Sequence, residues 1–132
     1  MAANRLLVID DDPAITQLIE EVATASGFAV KCALNAADFR SSLKAWDPTA
    51  IVLDLQMPDT DGIELVRFLA QAGCRAKILM ISGFDPRVLA AAKRVGDARG
   101  LAMAGTLPKP FRLADLKAVL GKLAVDSLAQ SG

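Results

Sequence analysis

Five polar residues of this chain have the types that phosphoryl chemistry needs: Asp10, Asp11, Asp54, Ser82 and Lys109. Three carboxylates in one pocket suit a hard dication with octahedral oxygen ligands, and Mg²⁺ is the expected ion. The lysine supplies a compact positive charge for phosphate oxygens, and the serine hydroxyl can donate a hydrogen bond to the same group. The ionised carboxylate of Asp54 can then attack phosphorus as a nucleophile and form an aspartyl phosphate.

These residues can act together only if the fold brings them together, and each of them follows a predicted strand. Residues 50–53 form a short, β-branched apolar run after Pro48, which predicts a strand buried on both faces, as in a parallel sheet. Asp54 lies at the carboxyl end of this strand, where open α/β sheets form their ligand crevice. A lone aspartate at a strand end can also be only a cap for the next turn or helix, so the assignment depends on the rest of the chain.

The rest of the chain alternates strand and helix, which predicts an α/β fold. The predicted strands are residues 5–9, 28–33, 50–53, 77–81 and 101–107. This alternation implies right-handed βαβ crossovers and a doubly wound, five-stranded parallel sheet with helices on both faces. With the strand order 2-1-3-4-5, strands one and three meet at the topological switch point, where the polar residues should converge.

Asp12 has a structural explanation that Asp10 and Asp11 lack. An aspartate at a helix N-cap accepts a hydrogen bond from an orphan N–H, and Pro13 suits the first helical position. Asn35 is expected to cap the second helix in the same way. Asp10 and Asp11 remain as two adjacent carboxylates, which repel each other and do not help folding unless a cation lies between them.

Length and charge limit the classes of protein and of partner. A chain of 132 residues is long enough for one domain with its own core and too short for two. No apolar run approaches the length of a membrane span, and no signal segment is expected, so we predict no membrane association. Fifteen basic residues balance fifteen acidic ones, which argues against nucleic-acid binding and favours a protein partner.

The cysteine and histidine content limits the chemistry further. Cys32 and Cys74 have no metal-ligand spacing and no framework of further cysteines, so we expect reduced thiols and a cytoplasmic location. The chain contains no histidine, which excludes a histidine general base, a Ser-His-Asp triad and a histidine metal ligand. A phosphoryl group held on histidine would therefore have to come from another molecule.

Four motifs make the chain closely similar to the receiver domains of two-component response regulators, over residues 4 to 125. They are V-I-D-D-D-P at 8–13, D-L-Q-M-P-D-T-D-G at 54–62, I-S-G at 81–83 and P-K-P-F at 108–111. Their order and their predicted elements fit the family, which makes the match far more specific than an isolated motif. The resemblance implies a flavodoxin-like receiver fold for residues 1–125, with residues 126–132 as a C-terminal tail or linker remnant.

The resemblance also implies roles within the acidic cluster. Asp54 resembles the phosphoacceptor, which is at the same time a metal ligand. Asp11 resembles the residue that binds Mg²⁺ directly, and Asp10 resembles the acidic partner that acts through a water molecule. Gln56 resembles the residue that lends its backbone carbonyl to the metal.

A second set of implied roles concerns the switch. Ser82 and Lys109 resemble the pair that binds the phosphate and transmits the signal. Receivers usually carry Tyr or Phe on the fifth strand, a few residues before the lysine, and here that position is Thr106, which cannot swing inward and outward as a ring does. Phe84, beside Ser82, is our candidate for the side chain that moves. The alternative, that Phe84 only packs under the following helix, stays open.

The resemblance implies a signalling domain that is not an enzyme. It would take its phosphoryl group from a sensor histidine kinase or a histidine phosphotransfer protein, and switch a surface that contacts an output domain or effector protein. The alternative that phosphorylation makes the domain dimerise also stays open. Residues 82–94 and 105–112 resemble receivers fused to cyclic-di-GMP phosphodiesterase domains, an output that would lie outside this chain.

Two other classes of function remain as alternatives. The first is a degenerate receiver that serves only as a dimerisation or docking module, and the intact acidic cluster with Ser82 and Lys109 argues against it. The second is a phosphatase that works through an aspartyl phosphate. It is weakened because Gln56 stands two residues after Asp54, where such an enzyme needs a second aspartate as acid and base.

Overall fold

The computed structural model describes residues 4–57, 60–83 and 86–124, in which five strands of one sheet alternate with five helices. The strands are β1 Arg5–Ile9, β2 Ala29–Ala33, β3 Ala50–Asp54, β4 Lys77–Ser82 and β5 Ala102–Pro108. The helices are α1 Pro13–Ala25, α2 Ala36–Trp46, α3 Gly62–Gln71, α4 Pro86–Ala98 and α5 Leu113–Leu123. A short antiparallel ribbon joins Gln56–Met57 to Thr60–Asp61. Phe84 and the predicted tail at 126–132 lie outside the described residues.

The sheet is parallel and has the order β2-β1-β3-β4-β5, which confirms the predicted doubly wound arrangement. In the register of β1 against β3, Ile9 is opposite Leu53, so the next residue of each segment, Asp10 after β1 and Asp54 at the end of β3, lies at the same edge. Asp54 is in turn opposite Ile81 of β4. The carboxyl edge of the three central strands therefore carries the acidic residues, as the fold rule requires.

The core forms two layers because alternate residues of a strand face opposite sides of the sheet. Ile51 and Leu53 of β3 face α2, α3 and α4, whereas Val52 faces α1 and α5. All five residues of β3 are buried, as expected for a central parallel strand. Asp54 is therefore held at the end of the most enclosed strand, which fixes its position.

Helix caps determine where several loops end. The Asp12 side chain accepts a hydrogen bond from Ala14 N at 2.9 Å, and the Asn35 side chain accepts one from Asp38 N at 2.8 Å, so both predicted caps are confirmed. Asp61 caps α3 in the same way through Ile63 N at 2.9 Å, a cap that we had not predicted.

The fifth strand, which was predicted at residues 101–107, is confirmed as β5. It begins and ends one residue later than predicted. Its register against β4 is interrupted between Ile78 and Leu79, because Ile78 is opposite Met103 and Leu79 is opposite Gly105. β5 lies at the edge of the sheet, where a proline such as Pro108 is tolerated. The small residues and the irregular register explain why the sequence signal for this strand is weak.

Gly62→Ala should destabilise the protein by about 1–3 kcal/mol, because the new methyl group would overpack the start of α3. A Cβ at Gly62 would lie 2.9 Å from Leu55 Cα and 2.6 Å from Leu55 Cδ2. Urea unfolding measures the effect. The matched control is Gly121→Ala, where no atom lies within 4 Å of the new Cβ, and which should stabilise α5 by roughly 0.5–1 kcal/mol. Equal stabilities of the two variants would contradict this packing.

Candidate functional site

The three predicted acidic residues meet at the carboxyl edge of the sheet. One carboxylate oxygen from each of Asp10, Asp11 and Asp54 lies within 4.8 Å of the others. Asp10 and Asp54 are 0% and 1% exposed, whereas Asp11 is exposed. The cluster is thus built from two fixed, enclosed carboxylates and one carboxylate at the surface.

Backbone N–H groups orient the two buried carboxylates. Asp12 N donates to Asp10 Oδ1 at 2.9 Å, and Gln56 N donates to Asp54 Oδ1 at 3.0 Å. In each case the residue two positions later in the chain closes a tight turn on the carboxylate, which tolerates little rotation of the side chain. Each carboxylate keeps its second oxygen for other partners.

Lys109 binds both of these second oxygens. Its Nζ lies 3.0 Å from Asp10 Oδ2 and 3.3 Å from Asp54 Oδ2. The lysine follows β5, and its backbone N donates to Ser82 O at 2.9 Å, which ties the end of β5 to the end of β4. The Lys109–Pro110 peptide bond is cis. One ammonium group therefore bridges two carboxylates that come from different strands.

The electrostatics of the cluster favour a second cation. The pKa of Asp54 is raised to about 6, mainly by burial and in addition by the neighbouring Asp10 carboxylate, while the hydrogen bond from Gln56 N and the charge of Lys109 oppose the increase. Burial alone would lower the pKa of Lys109, but its contacts with Asp10 and Asp54 outweigh this and raise it. Three carboxylates against one ammonium leave a net negative charge at the site.

Ser82 closes the site on the β4 side. It is 3% exposed, and its Oγ has no hydrogen-bond partner in the part of the chain that the structure describes. A buried hydroxyl without a partner costs about 1–3 kcal/mol, so such a group usually has a further role. It stands at the end of the strand next to Asp54, which makes it available to a group bound there.

The side chain of Gln56 makes a contact that we had not predicted. Its Oε1 accepts a hydrogen bond from Gly83 N, the first backbone amide after β4. The resemblance to receivers implied a role only for the backbone carbonyl of this residue. The sequence feature that relates to this contact is the glycine at position 83. A Cβ there would lie 2.8 Å from Gln56 Oε1, so a larger residue would disturb the contact.

Thr106 is the predicted switch position on β5. Thr106 is exposed on β5, opposite Met80 of β4. The other predicted site residues converge on one edge of the sheet: Asp10, Asp11, Asp54, Gln56, Ser82 and Lys109.

The donor set fits a divalent metal ion of the Mg²⁺ type. Such an ion prefers carboxylate, carbonyl and water oxygens, and it commonly keeps several waters. Asp11 and Asp54 would supply carboxylate oxygens, Gln56 a backbone carbonyl, and Asp10 a contact through water. The exposure of Asp11 leaves one side of the site open to solvent, where bound waters can be accommodated.

The comparisons with known proteins agree with this geometry. The family model described as "Response regulator receiver domain" matches residues 6–121. This chain belongs to the response regulator receiver domains. A receiver domain is a signalling domain of two-component systems.

The curated relatives of this receiver domain are longer than the chain. "Response regulator MprA" of Mycobacterium bovis is 31% identical over 133 residues, which cover 96% of this chain and 55% of the relative. The protein of the same name from Mycobacterium avium is 33% identical over 116 residues, which cover 86% of this chain and 48% of the relative. The chain thus spans about half the length of the curated relatives it matches.

Solved structures support the same receiver fold. A response regulator receiver domain from Bermanella marisrubri is 32% identical, with a TM-score of 0.77, and the match covers 92% of this chain and 98% of that one. The chemotaxis protein CheY4 of Vibrio cholerae is 25% identical with the same TM-score of 0.77, covering 93% of this chain and 100% of that one. Within the described ranges, no helix has the length and apolarity to cross a membrane.

Proposed function

We propose that this receiver domain accepts a phosphoryl group on Asp54, with Mg²⁺ bound beside it, and thereby switches a surface that contacts a protein partner. The observation that carries the proposal is the arrangement around Asp54. Its buried carboxylate shares Lys109 with Asp10, while the buried hydroxyl of Ser82 has no partner among the described residues. A phosphoryl group bound to Asp54 would supply the anion that both Lys109 and Ser82 can bind.

The protein's own residues have different roles in the phosphoryl transfer. Asp11, Asp54 and the Gln56 carbonyl would hold Mg²⁺, which would supply positive charge against the transferring group. An Asp54 oxygen attacks phosphorus, the bond from phosphorus to the donor's leaving group breaks, and the electron pair stays with that leaving group. Lys109 can leave Asp10 and follow the new negative charge. Each of these contributions is electrostatic or positional, as is usual in phosphoryl transfer.

The proposed donor is a phosphohistidine on a sensor histidine kinase or a histidine phosphotransfer protein, because the chain has no histidine of its own. We further propose a cytoplasmic location, residues 1–125 as the receiver, and an output domain or effector protein as the recipient of the signal. The domain assists its own phosphorylation without being an enzyme that acts on other substrates.

Exposure of the chain to acetyl phosphate tests this function, with intact mass as the readout. In Mg²⁺ we expect the gain of one phosphoryl group per chain, and in EDTA we expect almost none, because the metal neutralises the charge that builds up at the site. A chain that stays unlabelled in Mg²⁺ while its fold is intact would instead favour the docking module.

Divalent metal should stabilise the fold, because a ligand that binds only the native state adds stability by mass action. At about a hundredfold excess of Mg²⁺ over its Kd, the gain is about 2.7 kcal/mol. Thermal unfolding with and without Mg²⁺ measures it, and Asp11→Ala should remove most of the response. Asp12→Asn is the matched control, since asparagine also caps α1. If Mg²⁺ stabilised Asp11→Ala as much as wild type, the direct metal ligand would be another residue.

The raised pKa of Asp54 predicts a pH dependence of stability in EDTA. The pKa is about 6 in the native state against an ordinary value of 3.8, so the native state binds more protons than the unfolded state between these values. The stability that this group contributes is therefore present below about pH 4 and is lost as pH rises through 6. Asp54→Asn should gain about 1 kcal/mol relative to wild type between pH 5 and pH 7, measured by urea unfolding. If the difference in stability between Asp54→Asn and wild type did not change with pH, the pKa of Asp54 in the native state would not lie near 6.

A further inference from the structure

One residue, Gln56, links the phosphoacceptor to the loop that follows β4. Its backbone N donates to Asp54 Oδ1 at 3.0 Å, and its side-chain Oε1 accepts a hydrogen bond from Gly83 N. The two contacts join β3 to the first residue after β4, across 27 residues of sequence. Gln56 is half-buried and Gly83 is exposed, so this hydrogen bond lies at the surface beside the buried carboxylates.

The amide of Gln56 fits closely against the backbone of this loop. A Cβ at Gly83 would lie 2.8 Å from Gln56 Oε1 and 3.5 Å from Lys109 Cβ, so a side chain at this position would push the Gln56 amide away from the Gly83 backbone. Ser82 O is held by Lys109 N at 2.9 Å. Two polar backbone groups at the end of β4 are therefore engaged, while the Ser82 hydroxyl remains without a partner among the described residues.

The hydrogen bond from Gly83 N to Gln56 Oε1 restrains the backbone next to Ser82. Because the two residues are adjacent in the chain, a backbone movement that carries the Ser82 hydroxyl towards a phosphoryl group on Asp54 would also draw Gly83 N away from Gln56 Oε1. We propose that Gln56 is a positioning residue whose side-chain amide holds Gly83, and with it the end of β4, in the resting arrangement, and that switching breaks this hydrogen bond. The inference rests on the proposed function, and it adds a restraint that acts before phosphorylation.

The size of the expected effect follows from the energy of one hydrogen bond. A neutral intramolecular hydrogen bond contributes about 0.5–1.5 kcal/mol net, which corresponds to a factor of about 2 to 12 in an equilibrium constant. Removal of the Gln56 acceptor should therefore bring the resting loop closer in energy to the switched loop. An anion that binds the switched state should then bind about 2 to 12 times more tightly.

Gln56→Met tests the inference, because methionine has a similar length and no strong acceptor, while the backbone of residue 56 is unchanged. The first measurement is hydrogen exchange at the Gly83 amide by NMR in the resting protein, without any phosphate analogue. The second is the affinity for beryllofluoride in Mg²⁺. Gln17→Met, on the exposed face of α1, is the matched control and should leave both values unchanged. Gly83→Ala, whose methyl group would displace the amide, is a second variant in case Gln56→Met does not fold.

We expect faster exchange at residue 83 and tighter binding of beryllofluoride in Gln56→Met. Unchanged exchange would overturn the inference, because it would show that the contact does not protect the loop. Faster exchange with unchanged or weaker binding would also overturn it, because the contact would then not oppose switching. If wild type binds no beryllofluoride, the proposed function fails, whereas the exchange measurement still decides whether Gln56 restrains the resting loop.

Discussion

Asp54→Asn should abolish labelling by acetyl phosphate in Mg²⁺. An amide oxygen cannot act as the nucleophile, so the loss should be complete and not partial. The substitution nearly preserves shape, and the asparagine Oδ1 can still accept the hydrogen bond that Gln56 N gives to Asp54 at 3.0 Å. We therefore expect a folded protein that gains no phosphoryl mass.

Two further variants test whether the loss of labelling is specific to Asp54. Asp12→Asn keeps the cap of α1 and lies outside the acidic cluster, so it should be labelled like wild type. Asp10→Asn alters the cluster but leaves the nucleophile, so its labelling should be slowed and not abolished. If Asp54→Asn still gained one phosphoryl group, another carboxylate would be the acceptor and the assignment of Asp54 would be wrong.

The same experiment separates the alternatives. A degenerate docking module would leave the wild-type chain unlabelled. A phosphatase would release inorganic phosphate from a substrate many times over, whereas the proposed receiver would hold at most one phosphoryl group per chain. The carboxamide of Gln56 neither takes up nor releases a proton near neutral pH, so this residue cannot serve as the general acid and base of a phosphatase cycle.

Much of the fold could be predicted because its signals are local. Asp12 and Asn35 cap helices through amides two and three residues away, which are contacts that a sequence pattern encodes directly. The buried run of β3 predicts a central parallel strand, and the topology rule then places Asp10 beside Asp54. Convergence at the carboxyl edge therefore follows from pattern and topology, without knowledge of any side-chain contact.

The finer geometry of the site could not be predicted because it depends on contacts between distant residues. Lys109 reaches Asp10 across 99 residues and Asp54 across 55, and no local pattern specifies that one ammonium group binds both. The Gln56 contact with Gly83 likewise depends on how far β4 extends relative to β3. Sequence analysis could name these residues, but it could not state their partners in the resting state.

Thr106 stands where receivers usually carry an aromatic residue, so the signal is expected to leave the site by another route. It is exposed on β5, and its small side chain cannot move as an aromatic ring does. Ser82 and Lys109 can still respond to phosphate, and the buried hydroxyl of Ser82 has no partner among the described residues and lies at the end of the strand next to Asp54. We therefore expect the signal to leave through the end of β4 and the helix that follows it.

Beryllofluoride should change hydrogen exchange mainly in residues 82–112 of the wild-type chain, because the anion attracts Ser82 and Lys109 and shifts the β4–α4 loop. Ser82→Ala should remove most of this change. The variant should stay folded, and it should be more stable than wild type by about 1 kcal/mol or more, since a buried hydroxyl without a partner is costly. Ser42→Ala is the matched control, because Ser42 is also buried but donates to Asp38 on α2, far along the chain from β4. Changes confined to α1 and α2, or an undiminished response in Ser82→Ala, would contradict this route.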